Sequence, residues 1–201
     1  MDADAPPAAG AGPAFYFDLF SPEAYLAAER VIAALPVSAE WIPVRASALP
    51  AADTLEAWRC ETDREAFIER IARTAARRRL QPLHWPQPFP FDSLFAMRVA
   101  TYAKQIGRAV PFALAAFRQA FAGGRDLSIP DNVLIAAAAC EMHPNAVLKA
   151  AALRSVADRL DAATALAAQH GVRDVPAVWL PSGDVFHGDD ALEDAARALS
   201  A

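Results

Sequence analysis

The spacing of hydrophobic residues divides the chain into three stretches. In the first, the aromatic-rich run from Ala14 to Phe20 is typical of a buried strand. Ser21-Pro22 follows, a favoured N-cap and first helical residue, and apolar residues continue at helical spacing from Glu23 to Leu35. Ser38 to Val44 fits a second strand. We therefore predict a β-α-β unit with parallel strands and a right-handed crossover.

The second stretch, about residues 50 to 170, has the periodicity of helices. Phe67, Ile71 and Ala75 fall on one helix face, and the three arginines from Arg77 to Arg79 read as a solvated helix end. A loop with four prolines, Gln81 to Pro90, separates this helix from the next. Asp92 or Ser93 can cap the next helix, whose apolar face is formed by Phe95, Val99, Tyr102 and Ile106. Four further helices are expected at Pro111–Ala122, Asp131–Met142, Pro144–Lys149 and Ala151–His170.

The third stretch returns to strand patterns after Gly171, a natural helix C-cap. Val175 to Leu180 reads as a strand and Val185 to His187 as another, joined by a turn. A cap at Asp189 or Asp190 then introduces a last helix, Ala191 to Leu199. This stretch is a β-β-α unit.

A β-α-β unit, a helical stretch and a β-β-α unit together predict an α/β protein. The order is that of a thioredoxin-like fold with a large inserted all-helical domain. We assign residues 14–48 and 171–201 to the thioredoxin-like domain, 49–170 to the insertion and 1–13 to a disordered tail. The tail has neither the basic nor the apolar region of a signal peptide, so a cytoplasmic location is expected.

The amino-acid composition excludes several classes of protein and of binding partner. The chain has 201 residues, 55% of them hydrophobic, which excludes intrinsic disorder. The longest uncharged apolar run, Val133 to Cys140, is too short to span a bilayer. A net charge of −5 argues against nucleic acid or an anionic membrane as the main partner. The two cysteines, Cys60 and Cys140, form neither a C-x-x-C pair nor a zinc-ligand cluster, so no metal is expected.

The first candidate for chemistry is the turn from strand to helix at Ser21. Thioredoxin-type redox proteins carry C-x-x-C here, but this chain has Ser21 and Ala24 at the two positions. Disulfide exchange through this turn is therefore chemically excluded. A hydroxyl at a helix N-terminus can instead stabilise an anion, such as the thiolate of a bound thiol cofactor. Alternatively, Ser21 is only an N-cap.

Two further segments belong to this candidate site. The peptide bond before Pro176 is expected to be cis, which would offer the backbone of Val175 to an extended ligand; a trans bond at the start of an edge strand is the alternative. Asp189 and Asp190 could meet the ammonium of a γ-glutamyl group, or could simply cap the last helix.

Four motifs in order carry a family resemblance. They are F-Y-F-D-x-x-S-P-x-x-Y-L from Phe15 to Leu26, W-P-x-x-F-P-x-x-S-L-x-A-M-R from Trp85 to Arg98, G-V-x-x-V-P from Gly171 to Pro176 and F-x-G-x-D from Phe186 to Asp190. Taken together, they resemble the 2-hydroxychromene-2-carboxylate isomerases, which are kin to the kappa-class glutathione transferases within the DsbA-like thioredoxin superfamily.

This resemblance implies a glutathione-dependent isomerase whose cofactor is glutathione or another low-molecular-weight thiol. It implies a small substrate, an aromatic or conjugated acid. The residues it assigns are Ser21 as the catalytic residue that holds the thiolate, and Phe20, Pro22, Val175, Pro176, Asp189 and Asp190 as cofactor contacts. Position alone makes Trp85, in the proline-rich loop, and His187, one residue before Gly188, possible substrate or cleft contacts.

Several alternatives stay open at this point. A kappa-like glutathione transferase needs the same thiolate, and a non-catalytic thioredoxin-like protein would use the Pro176 edge to hold a peptide or small acid. Trp85 also fits a packing role, and His187 a strand end without a role. The substrate and the oligomeric state are open, although relatives of this kind often form homodimers.

Overall fold

The structure, a computed structural model, describes residues 12–51 and 60–200. Most of the predicted N-terminal tail, residues 1–11, lies outside the described residues.

Four strands form a mixed sheet in the order β2-β1-β3-β4. β1 pairs in parallel with β2 and antiparallel with β3, and β3 pairs antiparallel with β4. The β-α-β and β-β-α halves are therefore confirmed, and β1 joins them at the centre of the sheet. The strands are β1 Ala14–Phe17, β2 Glu40–Pro43, β3 Ala177–Trp179 and β4 Val185–His187.

Helices account for most of the remaining described residues, as the periodicity predicted. Short 3₁₀ turns cover Ala46–Ala48 and Asp189–Ala191, and a π-helical turn covers Arg118–Ala122. The α-helices are α1 Pro22–Ala28, α2 Val31–Ala34, α3 Glu61–Arg77, α4 Leu94–Gln105, α5 Ala109–Phe117, α6 Pro130–Ala138, α7 Pro144–Ala152, α8 Arg154–Gln169 and α9 Leu192–Ser200.

Two predicted elements near the N-terminus differ from the structure. The first strand ends at Phe17 because the next residues turn: the backbone N–H of Ser21 donates to the carbonyl of Asp18 over 3.1 Å. The helix predicted to reach Leu35 is interrupted after Ala28, where Arg30 leaves the helical conformation at φ −120°.

The two faces of the sheet support separate cores, because alternate residues of a strand point to opposite faces. Phe15 and Phe17 belong to the larger core, with α1, α4 and α5. Tyr16 belongs to a smaller core with residues of α8 and of the segment before β3, including Val175. Phe20 contacts both cores, so the turn that follows β1 lies where they meet.

The larger core contains residues of the sheet and of the helices between β2 and β3. The division into two domains at residues 48 and 170 stays a prediction. None of the helices in residues 12–51 and 60–200 is both long and apolar enough to cross a membrane.

Candidate active site

Ser21 occupies the N-cap of α1, as predicted. Its Oγ accepts a hydrogen bond from the backbone N–H of Ala24 over 3.1 Å, and Pro22 is the first helical residue. Ser21 is 5% exposed and Ala24 is fully buried. A serine Oγ that accepts from Ala24 still has its own O–H to donate. The turn therefore presents a hydroxyl donor at the position of the first cysteine of C-x-x-C, and a methyl group at the second.

A buried carboxylate, Asp18, fixes this turn. It accepts from the Oγ of Ser93 at 2.7 Å, the amide of Ala46 at 3.0 Å and the amide of Phe20 at 3.3 Å. Burial raises the pKa of Asp18, while these hydrogen bonds oppose the rise. The carboxylate thus joins three segments: the end of β1, the turn after β2 and the start of α4.

Sequence analysis did not single out Asp18. The available signal was one acidic residue inside an otherwise apolar aromatic run, AFYFDLF. Such a residue is buried only when hydrogen bonds satisfy it, but the sequence does not show that Ala46 and Ser93 are the donors.

The segment from residue 171 to residue 176, the cis-proline loop, contains the predicted cis peptide bond between Val175 and Pro176. Two hydrogen bonds tie this loop to β4 and its end. The amide of Gly188 donates to the carbonyl of Pro176 over 2.8 Å, and the amide of Arg173 donates to Nε2 of His187 over 3.0 Å.

Asp174, inside this loop, is a partly buried carboxylate near the site. Its Oδ1 accepts from the amide of Val175 over 2.6 Å. Burial is the main cause that raises the pKa of Asp174 to about 6, and the charge of Glu23 raises it further. Glu23 lies in the first turn of α1, and Phe20, which precedes Ser21, packs against the smaller core that contains Val175, so the Ser21 turn and the cis-proline loop meet at this core.

α3 covers the first turn of α1 from another side. Nη1 of Arg70 lies 2.7 Å from Oε1 of Glu23. The Arg70 guanidinium also lies 4.9 Å from the centre of the Phe67 ring, a cation–π distance. Glu23 is therefore compensated by a cation, and Arg70 stands at the rim of the Ser21 turn.

Asp189 and Asp190 are both ion-paired with Arg78. Asp189 is 8% exposed and bonds to Arg78, with Arg30 also near it at 3.9 Å. Asp190 is exposed, and its Oδ1 lies 2.9 Å from Nη2 of Arg78. Burial raises the pKa of Asp189, and Arg78 opposes that rise. The cofactor contacts assigned to both aspartates stay predictions.

Arg78 therefore corrects one sequence expectation. The end of α3 is not simply solvated, because the Arg78 side chain is 14% exposed and turns towards the segment before α9. Three consecutive arginines gave no indication of which one would turn inward.

Trp85 packs in the larger core, with its ring near those of Phe67, Phe89 and Phe121. His187 lies at the end of β4 and supports the cis-proline loop. Their assignment as substrate or cleft contacts stays a prediction, as do the cofactor contacts of Phe20 and Pro22.

Comparisons with known proteins agree with this geometry. The sequence profile of the DSBA-like thioredoxin domain family matches residues 14–200. A search of curated proteins gave no significant match.

Among solved structures, a 2-hydroxychromene-2-carboxylate isomerase superposes with a TM-score of 0.83 at 18% sequence identity, covering 94% of both chains. A probable DsbA oxidoreductase from Streptomyces coelicolor superposes with a TM-score of 0.74 at 20% identity, covering 94% of this chain and 88% of the other. At such identities the likeness concerns the fold. Since the family profile covers nearly the entire described chain, the protein belongs to the DsbA-like thioredoxin family.

Proposed function

We propose that this protein is a thiol-dependent isomerase of the 2-hydroxychromene-2-carboxylate isomerase type, whose cofactor is glutathione or another low-molecular-weight thiol. The observation that carries the proposal is the Ser21 hydroxyl, which caps α1 in a turn whose Phe20 packs against the same core as Val175 of the cis-proline loop. The resemblance assigns this position to the reactive cysteine of redox relatives. The chain has no thiol at either cysteine position of this turn, so a thiol reaction here requires sulfur from another molecule.

When bound, glutathione would supply a nucleophilic sulfur for reversible addition to the conjugated substrate. The chain's own residues keep that sulfur ionised and in place. Ser21 donates its O–H to the thiolate, and the N-terminal dipole of α1 favours the negative charge. One pKa unit corresponds to about 1.4 kcal/mol, so a hydroxyl and a helix end together lower the thiol pKa by roughly one to two units.

The orientation of the cofactor is assigned to the cis-proline loop and to the segment before α9. The backbone of Val175 would pair with the peptide part of glutathione, as an added strand does. Asp190, exposed at the surface beside Arg78, would receive the γ-glutamyl ammonium.

The first test follows the ultraviolet absorbance of the thiolate while bound glutathione is titrated with base. We expect Ser21→Ala to raise the thiol pKa by about one unit or more. The matched control is Ser155→Ala, which removes an exposed serine from the first turn of α8 and should leave the thiol pKa unchanged. A thiol pKa that is the same in the wild type and in Ser21→Ala would refute the role of Ser21.

The second test separates isomerase from transferase. With 2-hydroxychromene-2-carboxylate as the substrate, an isomerase returns all the glutathione, so its concentration stays constant through many turnovers. A transferase consumes glutathione and forms a conjugate that mass spectrometry detects. Conjugate formation without isomerisation would favour the transferase. If neither reaction is observed, the result would favour a non-catalytic binding protein.

A further inference from the structure

We infer that Asp174 determines which thiols the site accepts, because its carboxylate already holds the Val175 amide that a peptide-like thiol would use. The inference rests on the proposed function and deepens it. It predicts that the wild-type site binds glutathione weakly near neutral pH and favours thiols without a net negative charge, such as aminothiols.

The first argument is geometric. A ligand that pairs with Val175 as an added strand needs its backbone N–H as a donor. That N–H donates to Oδ1 of Asp174 at 2.6 Å, a short distance for a bond to a charged acceptor. One N–H makes one strong hydrogen bond, so a ligand carbonyl and the Asp174 carboxylate compete for the same proton.

The second argument concerns charge. Glu23 is paired with Arg70 at 2.7 Å, whereas Asp174 forms no ion pair within the part of the chain that the structure describes. An anionic ligand at the Ser21 turn therefore meets an uncompensated carboxylate. Glutathione has two carboxylates and one ammonium, so it is repelled, whereas a thiol bearing only an ammonium is attracted.

The third argument gives the size of the effect. With a pKa of about 6, Asp174 is mostly ionised near pH 7 and mostly neutral near pH 5. If glutathione binds only to the form with a neutral Asp174, its apparent affinity rises about tenfold over this range, in proportion to the population of that form. The carboxylates of glutathione do not titrate between these pH values, and ionisation of its bound thiol favours binding towards pH 7, so a gain in affinity towards pH 5 comes from Asp174 and not from the ligand.

Other groups near Asp174 also respond to pH. The charge of Glu23 on α1, paired with Arg70 of α3, acts on Asp174, and His187 on β4 bonds to Arg173, which precedes Asp174 in the loop. Asp174→Asn separates their effects from that of Asp174, because it keeps an oxygen acceptor for Val175 and removes only the charge. Asp174→Ala removes both.

The experiment measures glutathione and cysteamine affinities by calorimetry near pH 5 and pH 7 for the wild type, both variants and Asp184→Asn. The last is a control in the exposed turn before β4. We expect Asp174→Ala to bind glutathione about tenfold more tightly than the wild type near pH 7. Asp174→Asn should lose the gain in glutathione affinity between pH 7 and pH 5, cysteamine should lose affinity in both Asp174 variants, and Asp184→Asn should match the wild type.

The outcomes separate this inference from the proposed function. Equal glutathione affinity of the wild type and Asp174→Ala near pH 7 overturns the inference but leaves the Ser21 proposal intact. A wild-type pH dependence that persists in Asp174→Asn also overturns it, assigning the dependence to His187 or Glu23. If no form binds glutathione at either pH, both fail. Thermal unfolding of each variant shows whether it is folded under the conditions of the binding measurement. Asp174→Asn is the milder substitution and keeps the test valid if Asp174→Ala does not fold.

Discussion

Nε2 of His187 accepts a hydrogen bond from the backbone N–H of Arg173, 3.0 Å away. A ring nitrogen that accepts cannot carry a proton, so the bond requires neutral Nε2. Burial, and after it the charge of Arg173, lowers the pKa of His187 below its usual value. The folded state therefore binds fewer protons here than the unfolded state. The stability gained from this bond is present above about pH 6.5 and is lost as the pH falls through the folded-state pKa.

We predict that His187→Gln makes stability less sensitive to acid. Glutamine can still accept from Arg173 but does not titrate, so the wild type should lose stability relative to the variant between about pH 7.5 and pH 5.5. The loss should be less than about 1 kcal/mol, because part of the His187 side chain is exposed to solvent, which screens its charge. Urea unfolding at both pH values measures it.

The stability of the wild type must be compared with that of His187→Gln because Asp174 changes stability with pH in the opposite direction. Its raised pKa, about 6, makes the folded state bind more protons than the unfolded state, so its contribution grows more favourable as the pH falls. The difference between the wild type and His187→Gln cancels this contribution. A difference that does not change with pH would show that His187 does not titrate as described.

The second prediction concerns Asp18→Asn. An asparagine has one acceptor oxygen where the carboxylate has two, so at least one of the donors from Phe20, Ala46 and Ser93, which are buried or partly buried, loses its partner. We expect the free energy of unfolding to fall by about 2 kcal/mol. Chemical denaturation measures the change, and the exposed Asp184→Asn, expected within about 0.5 kcal/mol of the wild type, is the control. A similarly small change in the free energy of unfolding for Asp18→Asn would contradict the role of Asp18 in holding the three segments of the site together.

The third prediction concerns Arg78→Gln. Without this guanidinium, Asp189 is left buried with only the more distant Arg30, and stability near pH 7 should fall by about 2 kcal/mol. Losing Arg78 raises the pKa of Asp189 further, and a group whose folded-state pKa is raised favours folding at lower pH. The deficit should therefore shrink near pH 5.

Unfolding measurements near pH 7 and pH 5 test this pattern. Arg73→Gln, on an exposed part of the same helix, is the matched control and should show little change at either pH. If Arg78→Gln loses the same amount of stability near pH 7 and near pH 5, Asp189 does not titrate as described.

The fourth prediction is that Ser21→Cys/Ala24→Cys gains a disulfide. The two positions lie in the first turn of α1, where the Ser21 side chain already reaches the amide of Ala24. A thiolate at a helix N-terminus is stabilised and reactive, so mild oxidation should form the bond within one chain. Thiol counting and mass measurement before and after reduction report it, with Ser21→Cys alone as the control. A double variant that keeps both thiols after oxidation would contradict the assignment of positions 21 and 24 to the two cysteines of C-x-x-C.

Local signals account for what the sequence predicted well. Ser21-Pro22 and Gly171 mark helix ends through their own backbone and side-chain chemistry, and the alternation of Phe15, Tyr16 and Phe17 marks a strand with two buried faces. Each depends on neighbouring residues, so it can be recognised without knowledge of the fold.

What the sequence could not predict depends on partners distant along the chain. Arg78 differs from Arg77 and Arg79 only through the carboxylates it meets in the structure. Asp174 is likewise unremarkable in the sequence. Its raised pKa comes from burial and from Glu23, which is 151 positions away in the numbering.

The Asp18 carboxylate also has a consequence for the dynamics of the protein. Because it binds donors from three segments, releasing the Ser21 turn also frees Ala46 and Ser93. Opening is then a cooperative local unfolding event of the kind that native-state hydrogen exchange resolves. The amides of Phe20 and Ala46 should share one opening free energy, and thermal motion should preserve the shape of the site until all three segments separate together.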